Sequence, residues 1–332
     1  MNARTRRIRF VAIAAMHFVR NVWLAIVERG TGRPPQPRSS LGQFFRYHMI
    51  ELVGFRPAQA VTCAGLPSEG AGSQALMIMC AMSFARFSGF RYLHTPFEEI
   101  SHADRSMVKW ARAWEDHFNL GAGETAFDQR RHQAIQYSSY DPAAPGWRGD
   151  NFSATLMDET FHAMLPEFKR KYRANKPRVS RDYVLVAVHV RRGDVSAEKH
   201  NHLFTHDHCI AQTVSQVKSV MAKLGNRFRI LLFSEGAAES FAEFAKLGTE
   251  LHLNVDPMRT MEQMIDADVL IMAKGCFSYV AGLLSEGVKL HVGYYVPPRE
   301  WVVLAEDGSF DTGTFEKQLA TVLRRQLLSP RV

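Results

Sequence analysis

The sequence predicts an α/β chain built on two doubly wound parallel sheets. Three observations carry that expectation. Val184–Asp194, VLVAVHVRRGD, is an unbroken β-branched and apolar run that ends in His189, Arg191, Arg192 and Asp194. Such a run marks a strand buried on both faces of a parallel sheet. Strand-like and helix-like segments alternate on both sides of Pro177, as they do where crossover helices join parallel strands. Finally, 332 residues with 46% hydrophobic content suffice for two domains with cores of their own.

Along the chain, residues 1–43 read as a basic N-terminal segment and linker, 44–176 as a first domain and 177–332 as a second. Arg4, Arg6, Arg7 and Arg9 precede an apolar stretch from Phe10 to Val27, interrupted by His17, Arg20 and Asn21. A central arginine costs about 2.5–3.5 kcal/mol on membrane insertion, and the uninterrupted part, Phe10–Met16, is too short to span. Three readings stay open: a basic amphipathic helix lying on a membrane surface, a helix packed on the domain, and an anchor. The expected location is therefore cytoplasmic or peripheral to a membrane, with anchoring through this segment as the alternative. Gly30–Ser40 is a linker, because its prolines forbid helix and its small residues bury little.

In the first domain Ala58–Ala64 is the candidate first strand, Gly65–Gly72 a loop, and Ser73 the cap of a helix carrying Leu76, Met77, Met79, Cys80 and Phe84. Phe90–His94 is the next strand. Asp104–Phe118 is a helix whose Trp110 and Trp114, one turn apart, form a buried stripe. Tyr137–Asp150, with Pro142, Pro145 and Gly146, is a long loop. A helix over Ala154–Arg173 ends in Lys169, Arg170, Lys171 and Arg173, read as a solvated cluster that suits the helix dipole. Pro177 then marks the boundary.

The second domain reads as strand Tyr183–Val190, helix Thr205–Leu224, strand Phe228–Phe233, helix Ala237–Lys246, strand His252–Val255, helix Thr260–Ala267, strand Val269–Ala273, helix Phe277–Leu284 and strand Lys289–Tyr294. Lys plus Arg exceed Asp plus Glu by 41 − 33 = 8, which favours anionic partners without choosing among them. The composition excludes a disordered or fibrous protein. Cys63, Cys80, Cys209 and Cys276 form no CxxC pair and read as reduced thiols.

The arginines after the VLVAVHV strand emerge where open α/β sheets bind ligands. A guanidinium stays charged and matches phosphate oxygens with a rigid fork of donors. Two in succession cannot point the same way on extended backbone, so one is expected to face the ligand and the other to anchor a loop or carboxylate. A solvated strand end with an Arg–Asp pair is the bland alternative. Arg192-Gly193-Asp194 spells an adhesion tripeptide by coincidence.

His189-Val190-Arg191-Arg192-Gly193-Asp194 resembles the HxRRxD motif of the α1,2-, α1,6- and protein O-fucosyltransferases. Upstream, Glu69-Gly70-Ala71-Gly72-Ser73-Gln74 is similar to the Gly-rich loop that opens the acceptor-side domain of those enzymes. Downstream, Asp266-Ala267-Asp268-Val269-Leu270 through Phe277-Ser278-Tyr279 resembles their third motif. Together these cover roughly residues 58–295. The resemblance implies two Rossmann-like domains facing a cleft, the GT-B arrangement. It also implies an inverting transfer of sugar from GDP-fucose, or another GDP-sugar, to a hydroxyl on a glycan or protein.

Sugar transfer must neutralise charge on the departing β-phosphate, by a metal ion or by fixed cations. No DxD follows a strand in the second domain, since Asp266-Ala267-Asp268 ends a helix, so metal-independent stabilisation without a cofactor is expected. Arg191 or Arg192 is the principal donor, and helix amides near Phe277 and Ser278 assist. His189, Gly70, Gly72, Gln74 and Asp268 complete the expected ligand-contacting set. Related enzymes offer two hydroxyls before the last helix; here Gly275 and Cys276 stand there, with Ser278 as a substitute. Glu69 is the candidate base and Asp194 the runner-up, which more plausibly orients the arginines; His189 reads as structural. The run His200, His202, His206, Asp207, His208 and Cys209 matches no familiar metal pattern, and His206 and His208 are expected to start a helix pointing in different directions. Asp256, Arg259 and Glu262 either contact nucleotide or cap a helix through Asp256. The alternatives are a non-catalytic module holding nucleotide or nucleic acid, ranked low for want of aromatic–basic interleaving, and a degenerate nucleotide-sugar hydrolase. Membrane contact, if any, falls to residues 1–29.

Overall fold

The computed structural model describes residues 60–63, 69–103, 106–132, 134–137, 152–174, 176–179, 181–295 and 297–328. The expected N-terminal helix, the expected linker and all but Tyr137 of the loop expected over 137–150 lie outside the described residues. The chain divides into two units, Met1–Lys171 and Tyr172–Val332. Both are α/β with wholly parallel sheets.

The first unit holds a four-stranded sheet of order β3-β2-β1-β4, with β1 at Ala60–Thr62, β2 at Arg91–His94, β3 at Thr125–Ala126 and β4 at Ile135–Gln136. Helix α1, Ala71–Ser88, joins β1 to β2. Ala75, Ile78, Met79 and Ala81 on it have no exposed surface, so it is a core helix rather than an amphipathic one. It ends where Gly89 adopts φ 73° and returns its N–H to the Ala85 and Arg86 carbonyls. Ser73 is not its cap: Gly70 occupies that position, and the Ser73 hydroxyl, inside the first turn, donates to the Glu69 carboxylate. Helix α2, Met107–Phe118, buries Trp110 and Trp114 edge to face at 5.7 Å, the expected stripe.

Helix α3, Phe152–Arg173, carries the basic run, where the solvated reading fails for Lys171. Its side chain is 3% exposed, because the ammonium donates to Glu124 at 2.7 Å and to the Ala122 carbonyl. Asn119 Nδ2 donates to the Lys171 carbonyl at 2.8 Å, tying the same loop to the helix end.

The second unit carries β5 (Val184–His189), β6 (Phe228–Ser234), β7 (Glu250–Leu253), β8 (Val269–Ile271), β9 (Val288–His291) and β10 (Val302–Val303). Its helices are α4 (Asp207–Lys223), α5 (Ala242–Lys246), α6 (Pro257–Asp266), α7 (Cys276–Leu284) and α8 (Thr312–Leu328). The sheet runs β7-β6-β5-β8-β9-β10. Counted from β5 that is 3-2-1-4-5-6, the strand order of a Rossmann fold. Val184, Val186 and Val188 face a core with Ile210, Val214 and Val217 of α4, Phe244 of α5 and Phe315 of α8. Leu185 and Ala187 point to the opposite face, against which α6 packs.

Several boundaries differ from expectation for local reasons. Strand β7 ends at Leu253, not Val255, because Asn254 turns into the left-handed region at φ 54° and exchanges two 3.0 Å hydrogen bonds with the Gly236 backbone. The expected helix over 237–246 is a 3-10 turn, Ala238–Phe241, succeeded by the short α5. Helix α6 starts three residues early at Pro257, with Asp256 accepting from the Arg259 amide at 3.0 Å, the capping alternative. No described helix is long and apolar enough to cross a membrane.

Candidate functional site

In a 3-2-1-4-5-6 sheet the chain leaves strands 1 and 4 in opposite directions, opening a crevice outside their carboxyl ends. Here those strands are β5 and β8, and a cavity of about 470 Å³ lies there, lined by His189, Arg191, Arg192, Phe204, Lys274 and Glu306 among others. The crevice joins residues 83 apart in sequence: Nη1 of Arg191 donates to the Lys274 carbonyl at 3.4 Å.

The two arginines diverge, as extended backbone requires. Arg191 grips Asp194 with both Nε, 3.2 Å to Oδ1, and Nη2, 2.7 Å to Oδ2. A bidentate fork of this kind fixes the plane of the guanidinium. Gly275, at the N-cap of α7 with φ 137°, makes room for it, since a Cβ there would lie 2.5 Å from Nη1. Arg192 turns instead toward residues 204–207, just past the 3-10 turn Asn201–Leu203. It donates to the Arg191 carbonyl at 2.7 Å, to the Thr205 carbonyl at 3.0 Å and to Asp207, and its guanidinium lies 4.3 Å over the Phe204 ring. Arg191 thus stands at the crevice and Arg192 anchors its wall.

His189 ends β5 half-buried, with its ring 5.6 Å from Phe277 and a sealed Nδ1 that has no hydrogen-bond partner. Burial, reinforced by Arg191, lowers its pKa from 6.5 to about 4, so the imidazole is neutral. Cys276, the first residue of α7, meets the Tyr295 hydroxyl at 2.8 Å. Burial first, and Cys276 next, push the Tyr295 pKa well up. Ser278 does not line the cavity. It is fully buried and its Oγ donates to the Ala273 carbonyl at 2.9 Å, a helix-start tie with no face toward the cavity.

One other expected residue of this unit, Asp268, is placed away from the crevice. Asp268 precedes β8, at the amino ends of the strands, where Oδ1 accepts from Arg178 at 2.8 Å and Oδ2 from the Leu185 amide at 2.9 Å. A carboxylate 1% exposed and doubly occupied there is a structural bridge. Glu69, Gly70, Gly72 and Gln74 belong to the first unit. Glu69 forms an isolated parallel bridge with Ile100, Gly70 precedes α1 and Gly72 lies within it. Gly70 is not required for close approach, as a Cβ there would meet only Ser101 Oγ at 3.9 Å. Gln74, 2% exposed, donates to the Glu69 and Glu99 carbonyls and ties the two loops together.

Sequence reasoning does not single out Lys274 or Phe204. Lys274 gives no signal beyond succeeding a strand, although its Nζ donates to the Phe204 carbonyl at 3.0 Å inside the cavity wall. His206 and His208 do not point apart; their rings stack at 5.5 Å. Among the described residues no group of three His, Cys, Asp or Glu side chains is arranged to hold a metal ion.

No protein-family model matches the sequence, and no curated protein does. Some solved structures are similar to it at a low level. The E. coli heptosyltransferase WaaC with ADP-2-deoxy-2-fluoro heptose is 10% identical, with a TM-score of 0.37 over 81% of this chain and 99% of that one. The fucosyltransferase NodZ from Bradyrhizobium is 11% identical, with a TM-score of 0.34 over 77% and 98%. POFUT1 in complex with GDP is 11% identical, with a TM-score of 0.35 over 70% and 97%. The strand order defines the second unit as Rossmann-like without help from these superpositions.

Proposed function

We propose that the chain is a glycosyltransferase that moves a sugar from a nucleoside diphosphate, with GDP-fucose the first donor to test, to a hydroxyl of a glycan or protein. The observation that carries this reading is Arg191, held flat by Asp194 at the β5/β8 switch point beside the start of α7. A diphosphate gains charge as its bond to the sugar breaks, and a preoriented guanidinium next to a helix amino end is suited to receive it. Arg191, Arg192 and Lys274 supply three cations around the cavity, so the transfer is proposed to need neither metal nor cofactor. GDP and fucose rest on the HVRRGD resemblance, as do inversion and a GT-B arrangement of the units. The first unit is proposed to hold the acceptor, with Glu69 as the base. Asp194 is the less suited of the two carboxylates because a bidentate guanidinium occupies both its oxygens. The enzyme is proposed to work in the cytoplasm or against a membrane through residues 1–29.

Calorimetric titration with GDP, UDP and ADP in chelator tests the donor site. GDP-selective binding that Arg191→Ala removes is the expected result, and failure of folded protein to bind any of the three overturns it. Incubation with GDP-fucose then tests turnover, which Glu69→Gln should suppress while leaving GDP binding intact. The committed hydroxyl of Ser278 favours one second reading, hydrolysis of a nucleotide sugar without an acceptor. Release of free sugar that no hydroxyl acceptor accelerates would favour that reading.

A further inference from the structure

The three cations around the crevice are not equivalent. Arg191 is neutralised by Asp194 at 2.7 Å, and Arg192 by Asp207. Lys274 is half-buried, and its ammonium makes one hydrogen bond, to the uncharged Phe204 carbonyl. Among the described residues no carboxylate lies within ion-pair distance of it. The one carboxylate lining the cavity, Glu306, belongs to an exposed residue. An ammonium partly withdrawn from water in a cavity that two arginines also line is unfavourable without a counter-charge, and among the described residues none is paired with it.

The placement fits a particular part of the ligand. Lys274 immediately precedes Gly275, the N-cap of α7, and its own carbonyl receives Nη1 of Arg191. The lysine therefore succeeds the fourth strand of the unit while Arg191 succeeds the first, and the pair straddles the switch point. We infer that Lys274 is the uncompensated cation that binds the diphosphate, a ligand-contacting residue additional to the two arginines. The inference rests on the nucleotide-sugar reading above. It predicts that Lys274 responds to the number of phosphates rather than to the nucleoside.

The test is a calorimetric series of guanosine, GMP and GDP on the full-length wild type, Lys274→Met and Lys274→Arg, with circular dichroism to confirm folding. Lys274→Met should weaken GDP about tenfold or more, the scale of one charge-assisted hydrogen bond, weaken GMP less and leave guanosine unchanged. Lys274→Arg should restore most of the GDP affinity. If Lys274→Met weakens all three ligands equally, the lysine merely holds the Phe204 wall and the inference fails. Unchanged GDP binding in Lys274→Met overturns it alone, whereas a folded wild type that binds no nucleotide overturns the nucleotide-sugar reading and this inference with it.

Discussion

Gly275 is the seat of Arg191: a Cβ on that glycine would lie 2.5 Å from the guanidinium Nη1, and its φ of 137° strains any other residue. Gly275→Ala is therefore expected to displace the arginine and to cost about 1–3 kcal/mol of backbone strain. Affinity for GDP should fall about tenfold or more while the protein stays folded, as read by calorimetry alongside a thermal melt. Wild-type affinity in a folded Gly275→Ala protein would show that Arg191 need not occupy this seat.

Arg192 has a different signature. Three of its contacts hold the wall from Phe204 to Asp207, so Arg192→Ala should raise the rate of proteolytic cleavage around residues 200–207 more than it weakens GDP. Arg192→Lys should rescue little, because a point charge replaces neither the planar fork nor the stack on Phe204. Equal loss of GDP affinity in Arg191→Ala and Arg192→Ala, with no change in cleavage, would contradict this division of roles.

In the first unit, Glu124→Gln should cost more stability than Lys171→Met. The first leaves an ammonium 3% exposed without its carboxylate, at about 3 kcal/mol; the second replaces a buried charge with an apolar chain of similar reach. Urea unfolding of the two variants checks the order.

Stability should also fall as pH drops from 6.5 toward about 4. His291, 1% exposed, has its pKa lowered from 6.5 to about 4 by burial, and its Nδ1 accepts from the Gly293 amide at 3.0 Å. Between those values the unfolded chain binds a proton that the folded state refuses, so the contribution is fully present above 6.5 and is lost below it, at most about 3 kcal/mol. His189 adds in the same direction. His291→Gln should flatten the profile of unfolding free energy against pH; an unaltered slope would assign it to other groups.

Legibility from sequence tracks where the information lies. Strand β5 and its arginines are readable because a β-branched run broken abruptly by charge is a local pattern, and the divergence of Arg191 from Arg192 comes from extended backbone alone. The alternation of elements likewise makes the second unit's parallel sheet foreseeable. Gln74, Asp268 and Ser278 go the other way: each has a ligand-like side chain, yet each is consumed by carbonyls or amides that only the tertiary fold brings near. Lys274 is hidden for the converse reason, since its meaning depends on which groups the fold gathers around it. Strand β10, two valines long, and helix α8 lie past the last element legible in the sequence.

The pairing of Val186 with Val269 and of Val188 with Ile271 is what brings Arg191 to Lys274 across 83 residues. No contiguous peptide contains the crevice, and it has no counterpart in the unfolded chain. A nucleotide that fits it must then bind the native state alone, and mass action turns that binding into resistance to denaturation. Saturation at one hundred times the dissociation constant is worth about 2.7 kcal/mol, so a rise in melting temperature reports occupancy before any acceptor is known.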